Sequence, residues 1–272
     1  MQATLTQLPD LSQVYPVSAE QVTIYQQNGH IKLRQVATRE EVGSYRPVIV
    51  EAAHRYNTET RPLDQRDTYG KAFLQIMNLW LQNENVARFV LAHRFADVAA
   101  QLLGVPSVRL YHDQALFKEA SGGQTPWHQD QYYWPLDTDK TITLWMPLTD
   151  ITLEMGPMTF VNGSHKFGYL GKLPISDESQ NLFEKFIQER DLTLSVPTAM
   201  AAGDATFHSG WTLHGAGANS TAQIREAMTI IYFADGTRVS QTDNKNREAD
   251  LAQWLSGVKP GDLAASPINP SL

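Results

Sequence analysis

Thr125-Pro126-Trp127-His128-Gln129-Asp130-Gln131-Tyr132-Tyr133-Trp134 is the stretch from which the rest of the chain can be read. Ser121-Gly122-Gly123 and Pro126 argue against a helix here, because Gly and Pro break helices. On a β-strand, residues two apart leave the same face with Cα atoms roughly 6.6 Å apart. The His128 imidazole and the Asp130 carboxylate can then converge on one metal ion. On a helix the same side chains would diverge by roughly 200°. Alone the pattern is weak, since a surface His beside a solvated Asp is its commoner meaning.

The downstream sequence changes that balance. In the stretch from Ala205 to Asn219, His214 falls just before Gly215-Ala216-Gly217, where a strand end can face a cavity. A His-x-Asp pair closed by a distant His is the two-His-one-carboxylate set, which leaves three coordination positions open and marks non-haem Fe(II) oxygenases. Arg225 follows after Gly215–Ile224, a segment able to turn the chain onto a neighbouring strand. A buried Arg needs an anionic partner. A 2-oxoglutarate dianion on the iron would supply one, and the charges of Fe(II), Asp130, the dianion and Arg225 then cancel.

Composition narrows the class. The 272 residues are ample for a sizeable core, and a net charge of −7 argues against a general nucleic-acid surface. Without cysteine there are no disulfides, Cys zinc sites or thiol catalysis. The polar N-terminus, Met1 to Pro16, predicts no signal peptide, and no apolar run approaches a membrane span. A cytoplasmic protein acting on a small molecule, with no nucleic-acid or membrane partner, is expected.

In chain order, Ser18 to Gln27 reads as a short helix stopped by Gly29, and His30 to Val36 as a strand. Thr38 with Glu41 is a capping-box pattern opening a helix to about Tyr56, with Pro47 predicting a kink or two pieces. Arg61 to Gly70 reads as loop, Phe73 to Leu81 as strand or helix, and Asn85 to Leu103 as one helix ended by Gly104. After Pro106 short β-type runs follow: 108–117, 141–148, 158–161, 192–196, 204–207 and 227–233. One helix interrupts them, with Asp177 and Gln180 as its capping box and an apolar face running to about Arg190. It is expected to pack on the sheet rather than to act as a lid. The tail, Gly257 to Leu272, predicts little regular structure.

Taken together, Trp127-His128-Gln129-Asp130, Trp145, Gly156 to Lys166 with Asn162-Gly163-Ser164-His165-Lys166, Gly203-Asp204, His214-Gly215-Ala216-Gly217 and Arg225 resemble the phytanoyl-CoA dioxygenase family of Fe(II)/2-oxoglutarate oxygenases. The resemblance spans Val108 to about Asp235. It implies His128, Asp130 and His214 as the iron ligands and catalytic centre, and Arg225 as partner of the distal carboxylate of 2-oxoglutarate. It also implies Trp145 on the cosubstrate side, and Fe(II), 2-oxoglutarate and O2 as cofactors. Some members place a Ser two residues after the last ligand to assist that carboxylate. Here the position is Ala216, which leaves the second donor unassigned.

The fold expected is mainly β with helices: a double-stranded β-helix (jelly-roll, cupin-like) barrel with N-terminal helices and an inserted helix. It would form a single domain over 1–272, with a mainly helical part at 1–105, the jelly-roll core at 106–240 and a C-terminal extension at 241–272. The function expected is hydroxylation of a small organic metabolite with release of succinate and CO2. A catalytically silent metal-binding jelly roll, or another outcome such as desaturation or ring formation, stays open; a halogenase would need Asp130 replaced by a small residue. If the strand continued past Asp130, alternation would put Tyr132 and Trp134 at the substrate. Gln114 and Trp211 are further substrate candidates. Lys118 reads as a solvated lysine able to reach the site, while His112, His165 and His208 read as structural.

Overall fold

The computed structural model describes residues 8–171 and 173–272. Helix α1 (Ala19–Asn28) is opened by a Ser18/Gln21 capping box and closed by Gly29 in the left-handed region at φ 79. It leads into strand β1 (His30–Leu33). The Thr38/Glu41 box opens α2 (Arg39–Tyr56), an 18-residue helix that runs through Pro47 without dividing in two. Residues 61–70 are not all loop: a 3-10 turn over Leu63–Gln65 precedes α3 (Thr68–Ala72). Phe73 to Leu81 resolves into β2 (Leu74–Met77) and a 3-10 turn. The single helix expected over 85–103 is two, α4 (Glu84–Val90) and α5 (His93–Leu103), because the chain leaves helical geometry at Ala92.

The β half supplies β3 (Val108–Lys118), β4 (Thr125–His128), β5 (Thr141–Pro147), β6 (Met158–Phe160), β7 (Ala205–Ser209), β8 (His214–Ala216) and β9 (Arg225–Ala234). Helix α6 (Asp177–Glu189) lies between β6 and β7 and α7 (Lys245–Trp254) follows β9. The cap of α6 is Ser176 with Ser179, not Asp177 with Gln180. Gln180 instead accepts the backbone N–H of Trp127 at 2.9 Å, and Phe183 packs with Val161 and Leu213, so α6 covers the small sheet. The run at 192–196 is not a strand; it contributes one bridge, Val161 with Leu194, and Val196 is exposed. Helix α7 was not foreseen.

The strands form two antiparallel sheets in a jelly-roll arrangement, β1-β7-β5-β9-β3-β2 and β4-β8-β6. The N-terminal part therefore does more than pack on the barrel, since both edge strands of the large sheet come from it. Every residue of β5 is buried, the mark of a strand covered on both faces. Ile142, Leu144 and Met146 join the apolar core shared with α2, α4 and α5, while Thr143 and Trp145 face an internal cavity. On β9, Met228, Ile230 and Tyr232 pack into that core and Arg225, Thr229 and Ile231 line the cavity.

Strand β3 changes parity midway. Val108 and Leu110 face the core, a β-bulge intervenes between Leu110 and His112, and then Ala115 and Phe117 face it. One extra residue shifts the two-residue period, so His112, Gln114 and Leu116 all point into the cavity.

Candidate metal centre

His128 ends β4 and His214 begins β8, and the two are direct partners across the ladder with ring centroids 4.0 Å apart. The strand does not continue to Asp130. That residue opens a 3-10 turn over Asp130–Tyr132, so the expected same-face geometry is replaced by a turn that swings the carboxylate toward both rings. Nε2 of His128 lies 3.5 Å, and Nε2 of His214 3.6 Å, from Oδ1 of Asp130. Two donors each ~2.1 Å from one ion are ~3 to ~4.2 Å apart, so this spacing fits a single metal.

The surrounding hydrogen bonds aim these atoms. Nδ1 of His128 donates to the carbonyl of Pro126 at 2.8 Å and Nδ1 of His214 to that of Thr212 at 2.9 Å. A carbonyl only accepts, so both Nδ1 atoms carry a proton, and in the neutral ring that leaves Nε2 as the atom with a lone pair for a metal. Burial holds His214 well below the ordinary histidine range, and therefore neutral. Oδ2 of Asp130 accepts from Thr143 Oγ1 at 3.1 Å and from His208 Nε2 at 3.2 Å, leaving Oδ1 to face the histidines. Burial opposes a charge on Asp130, but the histidines gathered around its oxygens hold it well below the usual carboxylate range. His208, read from sequence as structural, thus touches the candidate ligand set. No local pattern marks it; the pairing of β7 with β5 puts it there.

The set lies on one wall of a cavity of about 200 Å³. Arg225, 1 % exposed, enters it beside Trp145, with the guanidinium carbon 5.3 Å from the ring centroid. Its Nη1 donates to the carbonyl of Gly156, but among the described residues Nε has no partner and neither has Nε1 of Trp145. Burial pushes Arg225 down only to about 10, so it keeps its charge at neutral pH. A buried cation with an unpartnered donor beside another unpartnered donor is a site built for an anion. Both the histidine–carboxylate donor set and this anion pocket fit the iron and 2-oxoglutarate expected from sequence. Lys118 is not solvated: it is fully buried opposite Arg225, donating to the carbonyl of Gly123 and, at 3.3 Å, to Thr125 Oγ1.

Of the substrate candidates, Gln114 and Trp134 line the cavity. Tyr132 and Trp211 do not. The turn at Asp130 rotates Tyr132 onto Tyr169, with its hydroxyl taken by Asn246, and Trp211 packs edge-on to Tyr169 outside the cavity. Tyr133 takes the place expected for Tyr132. His112, read from sequence as structural, also lines the cavity, with Nδ1 unpartnered among the described residues. Tyr69 and Phe73 from the N-terminal part, and Asp250 and Trp254 from α7, complete the walls. Periodicity reveals none of these four, because only the tertiary fold brings them to the barrel.

Known proteins resemble this chain in sequence and in fold. The model of the family Phytanoyl-CoA dioxygenase (PhyH) matches residues 25–227. A probable alpha-ketoglutarate-dependent hypophosphite dioxygenase of Stutzerimonas stutzeri is 25% identical over 233 residues, 79% of this chain and 78% of that protein. The ectoine dioxygenase of Bordetella parapertussis is 23% identical, over 79% and 75%. Among solved structures, the non-heme alpha ketoglutarate dependent carbocyclase SnoK has the same fold, with a TM-score of 0.77, 23% identity and coverage of 94% and 96%. The epimerase SnoN, in complex with Fe3+, alpha ketoglutarate and nogalamycin RO, aligns with a TM-score of 0.72 at 25% identity over 92% and 96%. A buried histidine–carboxylate cluster facing an unpaired arginine is what iron and 2-oxoglutarate demand, and with three quarters of its length matched this chain belongs to the phytanoyl-CoA dioxygenase family, as a 2-oxoglutarate-dependent non-haem iron dioxygenase.

Proposed function

We propose that this enzyme hydroxylates a small organic molecule, with His128, Asp130 and His214 holding Fe(II) and Arg225 holding the distal carboxylate of 2-oxoglutarate. The carrying observation is the shared cavity: three candidate ligand atoms converge on one wall, and a buried cation lacking an anion stands in the same space. A silent metal-binding jelly roll would have no use for that cation, whose burial costs stability without a partner.

Each residue has a task. His128 and His214 offer Nε2 atoms, and Asp130 offers Oδ1 while Thr143 and His208 fix its other oxygen. Arg225 supplies charge and a planar fork for the dianion, and Trp145 an additional N–H. Phe73, Trp134 and Ile231 exclude water from the cavity. When bound, iron, 2-oxoglutarate and dioxygen supply the oxidising power, the cosubstrate ending as succinate and CO2. Asp130 would hold the iron where a halogenase leaves room for chloride, which favours hydroxylation over halogenation.

A substrate panel assayed for succinate and for a product heavier by one oxygen tests the reading. The wild type should bind one iron, and Asp130→Ala should lose it together with turnover. Full iron loading and unchanged turnover in Asp130→Ala would sink the assignment.

A further inference from the structure

The cavity holds a second ionisable group without a counter-ion among the described residues, remote from Arg225. Along the β3–β9 ladder Arg225 stands opposite Lys118, and Ile231 opposite His112, six residues or roughly 20 Å further on. Helix α7 crosses at the His112 end: Trp254 lies 5.4 Å from the His112 ring, and Asp250 accepts a hydrogen bond from Tyr111, the bulge residue, at 3.0 Å. Asp250 lines the cavity, and the Tyr111 bond to Oδ2 is the one hydrogen bond its carboxylate accepts among the described residues. A carboxylate can accept about four.

No cation among the described residues forms an ion pair with Asp250. Arg247, on the same helix, is taken up by the carbonyls of Gln131 and Tyr132 and by Asp243, each at 3.2 Å. His112 is neutral, pushed down to about 3 by burial. Burial likewise pushes the Asp250 carboxyl up to about 7, the mark of an anion lacking a counter-charge. Around it the cavity wall is aromatic: Tyr69, Phe73, Tyr133, Trp134 and Trp254. Ring faces attract cations through their quadrupoles, and a buried carboxylate needs a positive partner. Fe(II), Asp130, 2-oxoglutarate and Arg225 already sum to zero, so a cation arriving with the substrate would find its counter-ion in Asp250 and favour that carboxyl's ionised form.

We propose that this end of the cavity binds a protonated amine, with Asp250 as its counter-ion and the aromatic wall as its cage, so that the substrate class is a small cationic amine. This rests on the reading of the cavity as the oxygenase active site. Asp250 lies on α7, beyond residues 25–227 matched by the family. Anionic substrates, acyl-CoA thioesters included, meet an unpaired carboxylate there instead of a cation.

The test compares three ligands of similar size, 2-phenylethylamine, 2-phenylethanol and 3-phenylpropionate, by calorimetry on the anaerobic enzyme loaded with Fe(II) and 2-oxoglutarate. The amine should bind at least tenfold tighter than either of the others, and Asp250→Asn should remove that preference. Iron content and 2-oxoglutarate affinity of the variant, both expected within twofold of wild type, show that it is folded. Tyr111→Phe, which keeps the carboxylate, should keep the preference and guards against a misfolded Asp250 variant. An amine that binds no better than the alcohol or the acid, or does not bind, would overturn the proposal, as would a preference that survives Asp250→Asn. Failure of the wild type to bind iron or 2-oxoglutarate would instead sink the oxygenase reading, a separate result.

Discussion

Thr125 stands directly opposite Ala216 in the β4–β8 ladder, with its hydroxyl oxygen 3.3 Å from Nζ of Lys118. Lys118 donates to that oxygen, which leaves the Thr125 O–H free to point into the cavity it lines. Thr125 thus presents, from the facing strand, a hydroxyl that Ala216 cannot offer. Thr125→Val keeps the shape and removes the donor, and it should weaken 2-oxoglutarate binding about tenfold, the worth of one hydrogen bond to a charged group. Iron content should not change. Unaltered 2-oxoglutarate affinity by calorimetry would remove Thr125 from the cosubstrate site.

Arg225 packs over Trp145 and offers a fork that a lysine cannot reproduce. Arg225→Lys should raise the 2-oxoglutarate concentration needed for half-maximal succinate formation by ~10-fold or more, with iron loading preserved. Identical cosubstrate kinetics in variant and wild type would count decisively against the assignment.

His208 holds Oδ2 of Asp130, so its loss frees the carboxylate to rotate away from the two histidines. His208→Phe should lower iron affinity by ~10- to 100-fold, the usual effect of deleting a group that orients a metal ligand. His208→Gln retains a donor and should recover part of it. Competition with a chelator measures both, and equal iron affinity in wild type and His208→Phe excludes this role.

Lys118 sets a pH dependence with a definite sign. Burial first, and the charge of Arg225 second, push it down to about 6 in the fold, whereas the unfolded chain holds the proton up to a pKa of about 10.4. Between those values the unfolded state binds the extra proton, so this residue makes stability rise with pH. The cost of burying the charge is present in full below about 6. Lys118→Met lacks it, so stability relative to wild type should be greatest near pH 6 and decline by up to ~1.4 kcal/mol per unit toward pH 9. Denaturant melts of both proteins across that range provide the check; a constant difference would show that Lys118 does not titrate there.

Much of the architecture and the candidate ligands was legible because the signals are local. The Thr38 cap, the Gly29 and Gly104 stops and the short β-type runs that became β5 and β9 each depend on residues a few positions apart. The ordered spacing of His128, Asp130, His214 and Arg225 named a chemistry before any coordinates. What the chain does between and beyond those signals was decided by tertiary structure. The turn at Asp130 put Tyr133 rather than Tyr132 at the cavity, and one bulge residue in β3 turned His112, Gln114 and Leu116 inward. Lys118 looked like a surface lysine, yet two sheets close over it. Asp250 and Trp254 lie on a helix with no motif, and strand pairing brings them over the cavity that residues 128–225 began. Local sequence specifies caps, periods and ligand types, since these are short-range interactions. Which side chains meet across the barrel depends on register and packing between segments a hundred residues apart, and only the folded chain contains that information.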